Sequence, residues 1–136
     1  MVPTPGGRMT DPVSSLMSSP VASVDADATL REVAETLAAN EIGAVTVLVE
    51  DGIAGIVSER DLVAHLADGA NPDHLLAEDV LTPDFVSAAP DETVLAVARR
   101  MMAARVRHVP VVEGGEPVGM VSLRDLMEVL LGELER

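Results

Sequence analysis

Two serine–aspartate pairs, Ser58-x-x-Asp61 and Ser122-x-x-Asp125, have the residue types and spacing for chemistry. Each stands where an apolar, β-rich run gives way to a helical pattern. A hydroxyl beside the free N–H groups of a helix N-terminus suits a phosphate, and a carboxylate suits the paired hydroxyls of a ribose. The same residues also suit a helix cap. Serine then accepts from the third helical N–H, and aspartate reaches back to the cap and faces the positive end of the dipole. Gly55 and Gly119 precede the serines by three residues and leave room for close approach of a ligand. Arg60 and Arg124 lie inside the pairs, and Arg107-His108 precedes an apolar run, adding donors for an anion. His65 and His74 have no second ligand at metal spacing and read as solvated surface.

The two pairs belong to a repeat. Gly55-Ile-Val-Ser-Glu-Arg-Asp-Leu62 returns as Gly119-Met-Val-Ser-Leu-Arg-Asp-Leu126, an offset of 64 residues. Without gaps, residues 29–63 lie over 93–127 with 12 identities in 35 positions. A tandem repeat in a short chain means two supersecondary units that each lack a full core.

The elements that must position these residues follow from pattern. A short strand is expected at Val21–Val24. Thr29-Leu-Arg-Glu32 is a capping-box sequence, and Leu30, Val33, Ala34 and Leu37 have helical spacing, so a helix opens there and closes between Asn40 and Gly43. Ala44–Val49 and Ile53–Val57 form a hairpin around Glu50-Asp51-Gly52. A helix follows from Ser58 to Gly69, and Asn71-Pro72 opens a short helix to Val80. The second copy repeats the order: strand Phe85–Ala88, helix Thr93–Arg105, strands His108–Val112 and Pro117–Val121 around Gly114-Gly115, and a helix from Ser122 to about Leu134. The domain reading is a flexible tail at 1–12, repeat one at 13–69, a connecting segment at 70–77 and repeat two at 78–136. Met101, Met102, Met120 and Met127 fall on apolar faces and read as core.

Composition narrows the function. The 136 residues carry a net charge of −14, which opposes binding to DNA or to an anionic membrane surface. Phe85 is the single aromatic residue, so no stacking platform for single-stranded nucleic acid can be built. Without cysteine there is no thiol chemistry or disulfide. No signal peptide or membrane-spanning run is read, and a cytoplasmic location is expected. All nine cations are arginine. Residues 13–69 sum to −8 and residues 78–128 to −4, so repeat two is the more anion-tolerant half.

The two G-h-h-[ST]-x-x-D copies (h apolar) resemble the signature of the cystathionine β-synthase (CBS) domain. Arg107-His108-Val-Pro110-Val-Val112 is similar to that family's polar-polar-h-P-V-h strand, and Val80-Leu-Thr-Pro83 to its opening segment. The resemblance covers about residues 13–131. It implies an α/β (α+β) fold of two β-α-β-β-α CBS repeats, a Bateman module, packed sheet to sheet with pseudo-twofold symmetry. It also implies two clefts for adenosyl ligands. Ribose would go to the motif aspartate, and phosphate to the hydroxyl residue and nearby basic side chains. Carried over, one site joins Asp125 to Ser23, Val24, Gly43 and Ala44. The other joins Asp61 to Val86, Ser87, Arg107 and His108. Repeat one departs from the pattern where Thr46 replaces Pro110 and Gly43-Ala44 replaces Arg107-His108, so the two clefts are expected to differ.

The leading expectation is a stand-alone regulatory module that binds an adenine nucleotide (AMP, ADP or ATP) as its regulatory ligand. It requires no cofactor or metal, forms a homodimer and signals in trans to an effector protein. A second reading is a CBS-dimer interaction scaffold with vestigial clefts. A third, remote one is a hydrolase using Asp61 and Asp125 as a carboxylate dyad.

Overall fold

In the computed structural model, residues 7–136 are described. They form a mixed α/β structure of two compact units: Val21–Phe85, and the residues up to Pro20 together with Val86–Arg136.

The first unit runs β1 (Ser23–Asp25), α1 (Leu30–Asn40), β2 (Ala44–Val49), β3 (Gly52–Ser58), α2 (Glu59–Ala67) and α3 (Ala77–Val80). β1 lies parallel to β2 with Ser23 opposite Thr46, and β2 is antiparallel to β3 with Ala44 opposite Ser58. The full capping box of Thr29 and Glu32 starts α1. The cap hydrogen bonds hold the Glu32 carboxyl below its ordinary pKa. Val33 and Leu37 turn inward from α1 to meet Val45, Val47 and Val57 of the sheet in one apolar cluster. The expected helix from Pro72 shortens to α3. The carbonyls of Pro72 and Leu75 accept from the N–H groups of Arg31 and Leu30 at the start of α1, at 2.9 Å each, and so do not build a helix of their own.

The second unit contains α4 (Val94–Ala104), β4 (His108–Glu113), β5 (Glu116–Ser122) and α5 (Leu123–Leu134). Its hairpin repeats the register of the first, with His108 opposite Ser122 and an irregularity between Val111 and Val112. Val94, Val97 and Met101 of α4 and Leu126 of α5 pack on Val109, Val111 and Val121.

The compact units cut across the sequence repeats. Val13, at the start of repeat one, is fully buried in the core of the second unit, while its counterpart Ala77 is fully buried in the first. Each repeat's opening segment therefore completes the core that contains the other repeat's hairpin. Positions 1–6 of the expected tail lie outside the described residues. Positions 8–12 are tied down: Val94 N–H donates to Asp11 O, Leu95 N–H to Met9 O, and Met9 N–H to the Glu133 carboxylate. Met102 and Met127, expected in the core, are 68% and 44% exposed.

The expected strand at Phe85–Ala88 reduces to a single parallel bridge, Ala88 with Val111. The cause is two missing donors. In the first unit Thr46 N–H reaches Ala22 O at 3.3 Å and Ala26 N–H reaches Leu48 O at 3.1 Å, which extends β1 on both sides of Val24. Pro110 and Pro90 hold the matching positions in the second unit and have no N–H to offer Val86 or Val112.

Candidate functional site

Both Ser-x-x-Asp pairs form capping boxes. Ser58 Oγ accepts from the Asp61 N–H at 3.2 Å. Asp61 Oδ2 accepts from the Ser58 N–H at 2.8 Å and from its hydroxyl at 3.0 Å. Ser122 Oγ and Asp125 Oδ2 likewise accept from each other's backbone N–H, at 3.2 Å each. The cap uses one carboxylate oxygen in each copy; Oδ1 takes no part in it. All four residues are half-buried at the strand-to-helix turn.

The residues before each hairpin lie against these caps. Gly43 O accepts from the first N–H of α2, on Glu59, at 2.9 Å, and Arg107 O accepts from that of α5, on Leu123, at 2.8 Å. The chain thus satisfies the first and third N–H groups of each helix by itself, which narrows what an incoming anion would find there. Arg107 is exposed and His108 half-buried beside Ser122, and Ala44 is buried beside Ser58. Arg60 is exposed. Arg124 is exposed and approaches Glu128, one turn on, at 3.7 Å. Such an open pair adds little stability.

The glycines serve the chain and not a ligand. A Cβ on Gly55 would meet Thr82 O at 2.5 Å and Leu81 Cδ1 at 2.8 Å. One on Gly119 would meet Met17 Sδ at 2.5 Å and Ser18 O at 3.0 Å. Those approaches are the bridges Ile56–Thr82 and Ser18–Met120, which stitch each opening segment onto its hairpin. The space read from the sequence as open to a ligand is filled by residues 81–82 and 17–18.

Of the remaining candidates, Ser23 Oγ shares a 2.6 Å hydrogen bond with the fully buried Thr46 hydroxyl. This explains a polar residue at that core position. Val24 is buried, Val86 half-buried and Ser87 exposed. Ser23 and Val24 also line a groove of about 400 Å³ beside α1.

Sequence reasoning missed one polar knot. Arg100 donates to Glu92 through both terminal nitrogens and to Ser87 O at 2.8 Å. The guanidinium, followed by the Ala89 N–H, lowers the Glu92 pKa to about 2. The signal lay in a comparison of the repeats, since Ala28 and Thr36 stand at the matching positions. Among the described residues, no group of three His, Asp or Glu side chains could hold a metal ion. No helix there is long and apolar enough to cross a membrane.

A duplicated α/β unit with a capped, helix-opening aspartate in each copy defines a tandem-repeat module. The CBS domain family matches twice, over residues 13–68 and 77–132, and the chain belongs to that family. It is 33% identical over 105 residues to an uncharacterized 33.4 kDa protein of the ribosomal RNA operon in Thermofilum pendens, covering 76% of this chain and 34% of that protein. Two further archaeal relatives are covered over 43% and 52% of their lengths, so the chain spans about a third to a half of these proteins. Among solved structures, a CBS-domain protein from Agrobacterium tumefaciens, ATU1752, superposes with TM-score 0.76 at 33% identity over 88% of this chain and 98% of that one. The CBS domain pair of protein MJ0100, in complex with 5′-methylthioadenosine and S-adenosylmethionine, superposes with TM-score 0.82 at 25% identity over 90% and 97%.

Proposed function

We propose that this chain is a regulatory module that binds an adenosyl ligand, with an adenine nucleotide as the favoured form, and conveys binding to an effector. The observation that carries this reading is the pair of motif aspartates. Each spends Oδ2 on its cap and keeps Oδ1 out of it, at a half-buried turn, so a cap and a ribose contact are compatible in one residue. The adenosyl compounds held by the CBS pair of MJ0100 support the ligand class. Ser58, Arg60 and Asp61, and Ser122, Arg124 and Asp125, are the proposed motif contacts. Ser23, Val24, Gly43 and Ala44 together with Val86, Ser87, Arg107 and His108 are the proposed flanking contacts. The net charge of −14 disfavours polyphosphates and ranks AMP above ATP. Isothermal titration of the full chain with adenosine, AMP and ATP tests the reading: saturable binding that weakens in Asp61→Ala or Asp125→Ala is expected, and no binding of any of the three rejects it.

The scaffold reading draws on a different observation. Met127, Leu131 and Leu134 are 44%, 51% and 73% exposed at helical spacing on α5. An exposed apolar stripe favours self-association, and a homodimer through this face accommodates both readings. Neither reading asks the chain for catalysis, and the Asp61/Asp125 dyad has no support beyond residue type.

A further inference from the structure

The two units differ at the outer edge of their first strand position. In the second unit Arg100 fills that edge, its Nη1 bonded to Ser87 O and to Glu92 Oε2 at 2.8 Å each. The 64-residue offset maps Ser87, Glu92 and Arg100 onto Ser23, Ala28 and Thr36. These smaller residues leave the groove of about 400 Å³, lined among others by Ser23, Asp25, Asp27, Ala28, Glu32 and Thr36. The backbone acceptor is conserved between the two edges. Thr46 N–H donates to Ala22 O and Ala26 N–H to Leu48 O, so residues 22, 24 and 26 make the ladder with β2, and the Ser23 carbonyl faces away from it. Ala88 makes the ladder in the other unit, which turns the Ser87 carbonyl outward to Arg100 in the same way. Ala28 stands in place of Glu92, and the carboxylates that line the groove are those of Asp25, Asp27 and Glu32, of which Glu32 already accepts from Thr29 through Oε1.

We propose that this groove receives the guanidinium of an arginine side chain presented by a partner protein. The pseudo-equivalent edge shows the occupant's chemistry directly: an arginine side chain, held by an outward strand carbonyl and a carboxylate. A flat cation with five donors fits several spread acceptors, whereas no three carboxylates here converge on a metal ion. The groove is larger than a guanidinium and includes Val24 and Leu48 in its lining, against which the aliphatic stem of arginine can lie. Residues 13–69, with a net charge of −8, attract a cationic partner. The proposal does not rest on nucleotide binding, although the groove shares Ser23 and Val24 with the proposed flanking contacts of the adenosyl ligand.

The test is a ¹⁵N chemical-shift titration of the full chain with the blocked peptide acetyl-Gly-Arg-Gly-amide. Saturable shifts at residues 23–28 and 36 are expected, with the lysine peptide weaker by at least about fivefold. Ala28→Glu/Thr36→Arg, which installs the second unit's pair, should abolish the saturable shifts while retaining a cooperative melt. Asp25→Asn/Asp27→Asn provides a second variant should that one fail to fold, and should weaken binding by at least about threefold. Equal binding of the lysine peptide, shifts confined to other residues, or no saturable shift at millimolar peptide would overturn the proposal. Free arginine binding as tightly as the blocked peptide would overturn the assignment to a protein partner.

Discussion

Gly55 and Gly119 occupy the same place in the repeat motif, yet the same substitution should not cost the same. An alanine at Gly55 drives its Cβ into the backbone carbonyl of Thr82, which is tied by the Ile56 bridge on both sides. At Gly119 the nearest atoms belong to the Met17 side chain, which can swing. Gly55→Ala is expected to destabilise by about 2–3 kcal/mol and Gly119→Ala by about 1 kcal/mol, measured by urea unfolding. Equal losses would contradict the packing described for residues 81–82 and 17–18. Glu92 gives a second residue-scale outcome. Its folded pKa of about 2 lies below the unfolded value, so its contribution is complete above the ordinary carboxylate range and is lost as pH falls toward 2. The pair is partly exposed and screened, so Glu92→Gln should cost about 1 kcal/mol at pH 6, with the gap to the parent closing by pH 2. A gap that stays constant with pH would contradict the depressed Glu92 pKa itself.

At the scale of elements, the first unit gains β1 because Thr46 and Ala26 can donate where Pro110 and Pro90 cannot. Thr46→Pro should therefore strip the Ser23 pairing from β1 and leave those of Val24 and Asp25, at a cost of about 2–3 kcal/mol, with faster amide exchange at residues 22–24. Unchanged exchange there would reject the missing-donor explanation. The α5 stripe makes a separate claim: Leu131→Glu should shift light scattering toward the monomer, and an unaltered oligomeric state would remove α5 from the interface. The hairpins, the four long capped helices and the three capping boxes at Thr29, Ser58 and Ser122 were legible because local pattern decides them. Turn glycines, Ser-x-x-Asp spacing and 3.6-residue periodicity need no distant partner. The short strand at 85–88 and the helix from Pro72 were not legible, because tertiary hydrogen bonds decide them. Pro90 and Pro110 withhold donors from one, and the N-terminus of α1 claims the carbonyls of the other.

For the whole molecule, the duplication was legible, but the exchange of opening segments was not. The sequence places Val13 in repeat one, and only packing shows that it fills the core around α4. The candidate site divides in the same way. The caps follow directly from residue types, whereas the role of Gly55 and Gly119 depends on residues 81–82 and 17–18 packing against them, which no local pattern encodes. The central claim is that each motif aspartate caps its helix through one oxygen and holds a ligand ribose through the other. Isothermal titration of AMP into the parent, Asp61→Ala and Asp125→Ala, with urea unfolding on each variant, measures both roles. Each variant is expected to lose about 0.5–2 kcal/mol of stability and at least about tenfold in affinity at its own site. Loss of stability with AMP affinity unchanged in both variants would contradict the claim and leave the two pairs as helix caps alone.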